Sequence, residues 1–508
     1  LNKSHLIYRT AILSGVNFIV RILGFVYKIV LSKIIGAEGI GIFQMSIPVL
    51  MLFVTIPSSG IPIAVSKIIA KQPSTHSKSN QKIFNLSILI TLIISVSLSI
   101  LLIITSKSIC TNILKNQNLY LHILFLSPAI VIISLSSVIR GFFYGMKLIK
   151  PTSISQILEQ VSRIIFVLGY LYYLSPIKPH LGALIAIIGL SLGELIGLTS
   201  LISFYQAHKK NYLIHNFITN INVSSTKILH KIINISTPIT ISKLISILLQ
   251  LVNAVIIPNR LIVSGLSSKE AISSFGRVTG MTMPFIFLPF IVISALAVNI
   301  IPNISRNLQY KNYSKIKNDT NTAIKIAILI SFPLTAIYIL FSHDIGLFLY
   351  NDELVGIYIK SMGYSTIFLA LHHIIASILH GLGKQVYTTI NHAIGMSIQL
   401  LITYILVSNP NIRIYGFFIS FFIGNLITFI LNAIILRKTI KLKNTYILFA
   451  LKVLASTIIM IIIGNSIYIR LCTIFINSQL LILALALICA FATYLVCIIL
   501  FEPKLFKH

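Results

Sequence analysis

The sequence predicts an all-α polytopic membrane protein of about fourteen spanning helices. Three observations carry that prediction. Of 508 residues, 56% are hydrophobic and only 10% charged, whereas a soluble domain holds about 25% charged residues. Nearly every stretch of about 20 residues reads as an apolar helix long enough to cross a bilayer. The 40 Lys and Arg sit mostly in short loops between those stretches. A soluble enzyme, a disordered chain and a disulfide scaffold are excluded. In a soluble protein a net charge of +31 would point to nucleic acid. In short loops it sets topology instead, so no nucleic-acid partner is expected.

The spans fall at about 7–35, 41–70, 83–105, 119–145, 152–175, 180–205, 232–257, 272–301, 322–343, 355–380, 385–408, 413–437, 446–468 and 478–501. Span 1 is too long for a signal-peptide core and carries Arg21 and Lys28, so no cleavable signal is expected. Its Ser14, Asn17, Arg21, Gly24 and Lys28 recur at spacings of three and four. Arg21 and Lys28 therefore share a face about 10 Å apart. A charge at the bilayer centre costs at least about 2.5–3.5 kcal/mol, which places Arg21 toward a cavity; for Lys28, some two turns from the outer end, a cavity and snorkelling to the interface are equal expectations. Span 2 contains Pro48, Pro57, Gly60 and Pro62, candidate hinges. Arg140 and Lys147 at the end of span 4 are expected to snorkel. Span 5 places Glu159 four residues before Arg163, the favourable order for an ion pair. Glu194 in span 6 lies in "GLSLGELIGL", where small residues admit close helix approach.

Span 7 repeats the polar stripe with Ser236, Thr240, Lys243, Ser246, Gln250 and Asn253, and Arg260 stands just past its end. The stripes of spans 1 and 7 are expected to make a wet, positive groove. Span 8 opens with Arg277, and its Pro284 and Pro289 should bend it. His372, His373 and His380 in span 10 have no acidic neighbours in sequence, so packing or hydrogen bonding is expected rather than metal. Cys110, Cys472, Cys489 and Cys497 form no Cys-x-x-Cys pair and read as apolar fillers. No metal and no cofactor is expected. With no Trp, Tyr must supply the interfacial aromatics.

Loop charges orient the chain. One set of alternate loops and ends, from Lys3 to Lys507, holds 21 Lys and Arg. The other set holds 7, Lys107, Lys115, Lys178, Arg260, Lys269, Arg413 and Arg470, together with Asp344, Asp352 and Glu353. Both termini are therefore expected in the cytoplasm. A repeat is also visible. Pro48 and Pro284 are 236 residues apart, as are Gly145 and Gly381. The same shift carries spans 2–6 onto spans 8–12, which predicts two halves related by an axis along the membrane normal. The expected lobes are 1–215 and 216–440, with the last two helices in 441–508.

Four stretches carry a family resemblance: "RILGFVYKIVLSKIIGAEGIGIFQMSIP" from Arg21, "SGIPIAVSKIIA" from Ser59, "IRGFFYGMKLIKPTSISQILEQVSRI" from Ile139, and "VIIPNRLIVSGLSSKEAISSFGRVTGMTMPFIFLPF" from Val255. Over nearly its whole length the chain resembles the stage V sporulation protein B and polysaccharide biosynthesis branch of the MATE-like flippase superfamily. The resemblance implies a V-shaped transporter of two six-helix lobes plus two C-terminal helices. It implies a lipid-linked cell-wall precursor as substrate, flipped outward across the bacterial cytoplasmic membrane during spore cortex synthesis. A peptidoglycan synthase is a candidate partner. The lipid II flippases of the mouse virulence factor family are more distant relatives with a cationic central cavity. Near Asn253, where the resemblance leads one to expect an acidic residue, there is none.

The leading functional expectation is a flippase for an undecaprenyl-pyrophosphate-linked saccharide of the lipid II kind. Arg and Lys complement its pyrophosphate, and Arg21, Lys28, Arg163, Lys243, Arg260 and Arg277 are the candidate substrate-binding residues. Asn17, Glu159, Glu194, Gln250 and Asn253 are candidates for structural or coupling roles. A MATE-type drug or cation antiporter is the alternative, but it calls for buried carboxylates and only Glu159 and Glu194 lie well inside spans. A flippase for another lipid-linked unit also fits. A membrane glycosyltransferase would need acidic or His groups in a sizeable loop, and the loops are short and basic. A channel is disfavoured by the repeat with kinked helices.

Overall fold

A computed structural model describes residues 3–71, 77–174, 176–215, 224–440, 445–474 and 479–502. Of the residues named or counted above, Lys441, Lys443, Lys504 and Lys507 lie outside the described residues, as do the side chains of Lys3, Ser14, Asn17, Lys78, Lys209 and Lys210. In lipid every backbone polar group must be bonded within the chain, so apolar sequence of this length folds as helix. No strand occurs among the described residues. Packing divides the chain into two compact units, Leu1–Asn259 and Arg260–His508. The expected division at 215/216 rested on the repeat; packing draws the line later, inside a helix.

The first unit contains α1 (Lys3–Ser58), α2 (Gly60–Ala70), α3 (Ser77–Ser108), α4 (Tyr120–Leu124), α5 (Ser127–Gly145), α6 (Lys150–Tyr173), α7 (Pro179–His215) and most of α8 (Ser225–Val263). α1 is broken at Gly36, whose φ of 71° and ψ of 177° suit only a residue without Cβ. That break falls in the gap between predicted spans 1 and 2. Pro48 and Pro57 lie inside α1, and Pro62 stands in the first turn of α2, where its missing N–H costs no helical bond. The core joins Ile61, Val65, Ile68 and Ile69 of α2 to Phe142 and Phe143 of α5, with Ile228 and Ile232 of α8.

The second unit contains α9 (Ser268–Gly276), α10 (Met283–Ile286), α11 (Pro289–Gln309), α12 (Tyr313–Leu340), α13 (Ser342–Ile345), α14 (Glu353–Gly363), α15 (Ser365–Gly381), α16 (Gln385–Leu406), α17 (Tyr415–Ile440), α18 (Thr445–Ile474) and α19 (Gln479–Phe501). Predicted span 8 is not one bent helix. α9 passes into a π-helical turn, Arg277–Thr282, then into α10, and the chain restarts at α11. Pro284 follows the π-helical turn with the backbone still right-handed helical at Thr282 and Met283, and Pro289 opens α11. Tyr350 Oη donates to Met281 O at 3.1 Å and Tyr338 Oη to Phe285 O at 2.5 Å, so two buried tyrosines serve the interrupted stretch.

The repeat has a packing counterpart inside each unit. A Cβ on Gly145 would lie 3.0 Å from Ser66 O and 2.9 Å from Ile69 Cβ. A Cβ on Gly381 would lie 3.0 Å from Ile301 O and Ile304 Cβ. The matched glycines thus bring α5 onto α2 and α15 onto α11 in the same way. Among the described residues twelve helices are long and apolar enough to span a membrane, and thirteen if the pair α14 and α15, bent by 51° at Tyr364, counts as one. This differs from fourteen because Phe18–Ala70 counts once, although its 53 residues form about 80 Å of helix against a hydrocarbon core of about 30 Å.

Candidate functional site

The densest charge inside the first unit lies where α5, α6 and α7 meet. Glu159 on α6 accepts from two arginines: Arg163 Nη2 to Oε1 at 2.8 Å, one turn along α6, and Arg140 Nη2 to Oε2 at 2.7 Å, from α5. Arg163 Nη2 also stands 3.6 Å from Glu194 Oε1 on α7. The four side chains are only 12–18% exposed, so their mutual neutralisation decides whether they can reside there. α7 can present Glu194 because Gly193 lets it press on α6: a Cβ there would lie 2.9 Å from Glu159 O. Ser155 Oγ donates to Gly197 O at 3.0 Å one turn further on. Arg140 Nε, Arg163 Nε and Glu194 Oε2 have no hydrogen-bond partner among the described residues.

The pairing of Glu159 with Arg163 follows the sequence spacing. The part taken by Arg140 does not. Expected to snorkel, it turns inward to Glu159, because a carboxylate 19 residues on is a better partner than an interface one helix-end away. The only sequence signal for it was a second arginine near an otherwise scarce acid.

Arg21 and Lys28 are exposed along α1, and Lys243 and Gln250 along α8; Asn253 is half-buried. The α1 stripe runs beside the charge network, with Gly24 3.6 Å from Gln160 Nε2 of α6, measured from an ideal Cβ. In the second unit, the Arg260 guanidinium carbon lies 3.4 Å from the centroid of the Tyr404 ring. Stacking uses the face of the guanidinium and leaves its in-plane donors for an anion. Arg277 Nε donates to Asp352 Oδ2 at 2.6 Å, and Asp352 Oδ1 caps α14 through Leu354 N. Arg277 lines a 560 Å³ cleft with Lys269, Glu270, Tyr358, Arg413 and Tyr415. Glu270 there closes a capping box with Ser267, whose hydrogen bonds hold its carboxyl below the usual range.

A second cleft in this unit, 670 Å³, is lined almost wholly by apolar side chains of α12, α15, α17 and α18, among them Ile328, Phe368, Phe429 and Leu451. Its one charged lining residue, Arg437, donates to Tyr446 Oη at 2.9 Å. Of the span 10 histidines, His372 is buried against His373 and His392, at ring separations of 6.3 Å, and His380 Nε2 lies 2.8 Å from Thr388 Oγ1. No group of three metal-ligating side chains occurs among the described residues.

A helical chain with many candidate spans, ion-paired charges held inside them and matched glycine contacts in both units is that of a multi-pass membrane protein. Residues 7–308 match the family model described as polysaccharide biosynthesis protein, and residues 238–405 match the MatE model. The chain belongs to the polysaccharide biosynthesis protein family. It is 25% identical over 455 residues to stage V sporulation protein B of Bacillus subtilis, covering 88% of each chain. It is also 25% identical to lipid II flippase MurJ of the same organism, over 79% of this chain and 77% of that one. Among solved structures, lipid II flippase MurJ in an inward closed conformation superposes with a TM-score of 0.70 at 17% identity, over 97% and 99% of the two chains. An inward-facing multidrug resistance MATE family transporter gives 0.64 at 17% identity, over 84% and 98%. Three of these matches carry the name of a flippase or transporter, and none of the four is named as an enzyme.

Proposed function

We propose that this protein flips an undecaprenyl-pyrophosphate-linked cell-wall saccharide of the lipid II kind outward across the bacterial cytoplasmic membrane, in spore cortex synthesis, with both termini in the cytoplasm. The observation that carries the reading is the exposure of Arg21, Lys28 and Lys243 on spanning helices. Cations facing lipid would each cost several kcal/mol. Cations facing a watery path are the complement of a pyrophosphate. The apolar cleft with Arg437 on its lining suits a polyprenyl chain ending in phosphate. Alternating access of the two lobes would move the headgroup, and a peptidoglycan synthase would be the partner that consumes it. A cation antiporter is disfavoured because Glu159 is already taken by two arginines.

The test uses purified protein in liposomes, with external chemical access to a labelled lipid II read over time. Arg21→Ala, Arg260→Ala and Arg277→Ala should each lose transport while remaining inserted. Arg→Lys should rescue only partly, because Lys lacks the bidentate fork. Native rates in all three alanine variants would remove the anion-path reading.

A further inference from the structure

We propose that the first half of α8 is a latch that closes on α2 and parts in each transport cycle. The inference rests on the transport reading above. α8 is the least buried span: 11% of its most apolar window is buried, against 22–61% for the other described spans. It is attached at both ends: Ala254, Ile257 and Leu261 are buried toward its end, and before residue 241 it docks on α2. There Ser59 Oγ donates to Thr240 Oγ1 at 3.1 Å, across 181 residues of sequence. An ideal Cβ on Gly60 would lie 2.3 Å from Ser236 O, 2.7 Å from Ser236 Cα and 2.6 Å from Thr240 Oγ1. The two backbones therefore touch through a glycine, and only glycine fits. Nearer the start of α8, Ile228 and Ile232 share an apolar cluster with Ile61, Ile68 and Ile69. Beyond Thr240 the side chains of Ile241, Lys243, Ile245, Leu248, Gln250 and Val252 are all exposed.

Both partners are jointed. α2 starts at the break after Ser58, and Pro238 stands within the docked part of α8, where it removes a ladder hydrogen bond. Small-residue contacts bring backbones close without interlocking side chains. At Gly60 such a seam separates without side-chain interlock, and opening it also exposes the part of the apolar cluster that Ile228 and Ile232 share with α2. Closing re-forms the Ser59–Thr240 hydrogen bond and returns Ile228 and Ile232 to the apolar cluster.

The test places Ser59→Cys with Thr240→Cys in a full-length chain whose Cys110, Cys472, Cys489 and Cys497 are replaced by Ser. Oxidation should cross-link the pair and lower lipid II flipping in liposomes at least about tenfold, as expected for a blocked gating step, and dithiothreitol should restore it. Spin labels at Lys71→Cys and Lys227→Cys in nanodiscs should show two distances. Gly60→Leu should shift the population to the longer one, and Thr240→Val, which adds no bulk, should shift it part of the way. If the reduced protein flips no lipid II, the transport reading falls, and the spin-label distances judge the latch alone. Unchanged flipping by the cross-linked protein would overturn the latch. So would a single distance indifferent to both substitutions.

Discussion

Glu159→Gln should be the most damaging single substitution in the charge network, because one carboxylate serves two guanidinium groups at 2.7 and 2.8 Å. Breaking a buried pair by removing one partner costs about 3–5 kcal/mol. These side chains retain 13–18% exposure, so some water reaches them and about 2–4 kcal/mol is the better expectation. Arg163→Gln should cost less, about 1–2 kcal/mol, because the Arg140–Glu159 pair survives it and the Arg163–Glu194 contact it also removes is only a loose 3.6 Å. From the sequence alone, the Glu159→Gln, Arg163→Gln double variant should recover most of the folded protein. The structure predicts an intermediate value, because Arg140 still loses its acceptor, and adding Arg140→Gln should bring further recovery. The chain has no Trp, so unfolding is best followed with a thiol-reactive dye on buried Cys110 in a background lacking the other three cysteines. The Glu159→Gln midpoint should fall by roughly 2–4 °C, taking about 2.1 cal/mol/K per residue over the 508 residues. The reasoning is refuted if Arg163→Gln is the worse single change, or if the double variant loses as much as its two members together.

Three further outcomes are expected. With single cysteines on a cysteine-free background, an impermeant thiol reagent on intact cells should label Asp352→Cys and spare Lys315→Cys; the reverse pattern would invert the orientation. Gly193→Val should lower the same thiol-dye midpoint, at a cost of about 1–3 kcal/mol, since its Cβ would meet Glu159 O at 2.9 Å. Glu270 is held below its usual range in the folded chain by Ser267, so the carboxylate favours the fold above the ordinary Glu value near 4.3 and loses that effect as pH falls through the depressed value. Hydrogen exchange at the start of α9, corrected for intrinsic rate, should rise below about pH 4 in the native chain and show no such step in Ser267→Ala.

What the sequence revealed depended on how local the cause was. Composition and loop charge suffice for a multi-pass helical protein, because lipid leaves the backbone no other solution. The break at Gly36 was legible as a gap between apolar runs. The four-residue spacing of Glu159 and Arg163 is a property of one helix, and it held. Arg140 could not be assigned because its partner lies on another helix, and Arg277 with Asp352 is separated by 75 residues. Pro284 and Pro289 marked a disturbance in span 8 but not its form, since a proline in a first turn and one in a helix interior look alike in sequence. The bend at Tyr364 had no stronger signal than a neighbouring glycine.

The two tyrosines that serve the interrupted stretch of span 8 place a constraint on the order of biogenesis. Tyr338 follows Phe285 by 53 residues and Tyr350 follows Met281 by 69. At about 5–20 residues per second, the ribosome delivers those hydroxyls roughly 3–14 s after the carbonyls they serve. In that interval the stretch from Arg277 to Leu288 is in or near the membrane without them, and water or the insertion machinery must shield it. The second unit's first span therefore gains these two hydrogen bonds only when the chain emerging two helices later folds back onto it.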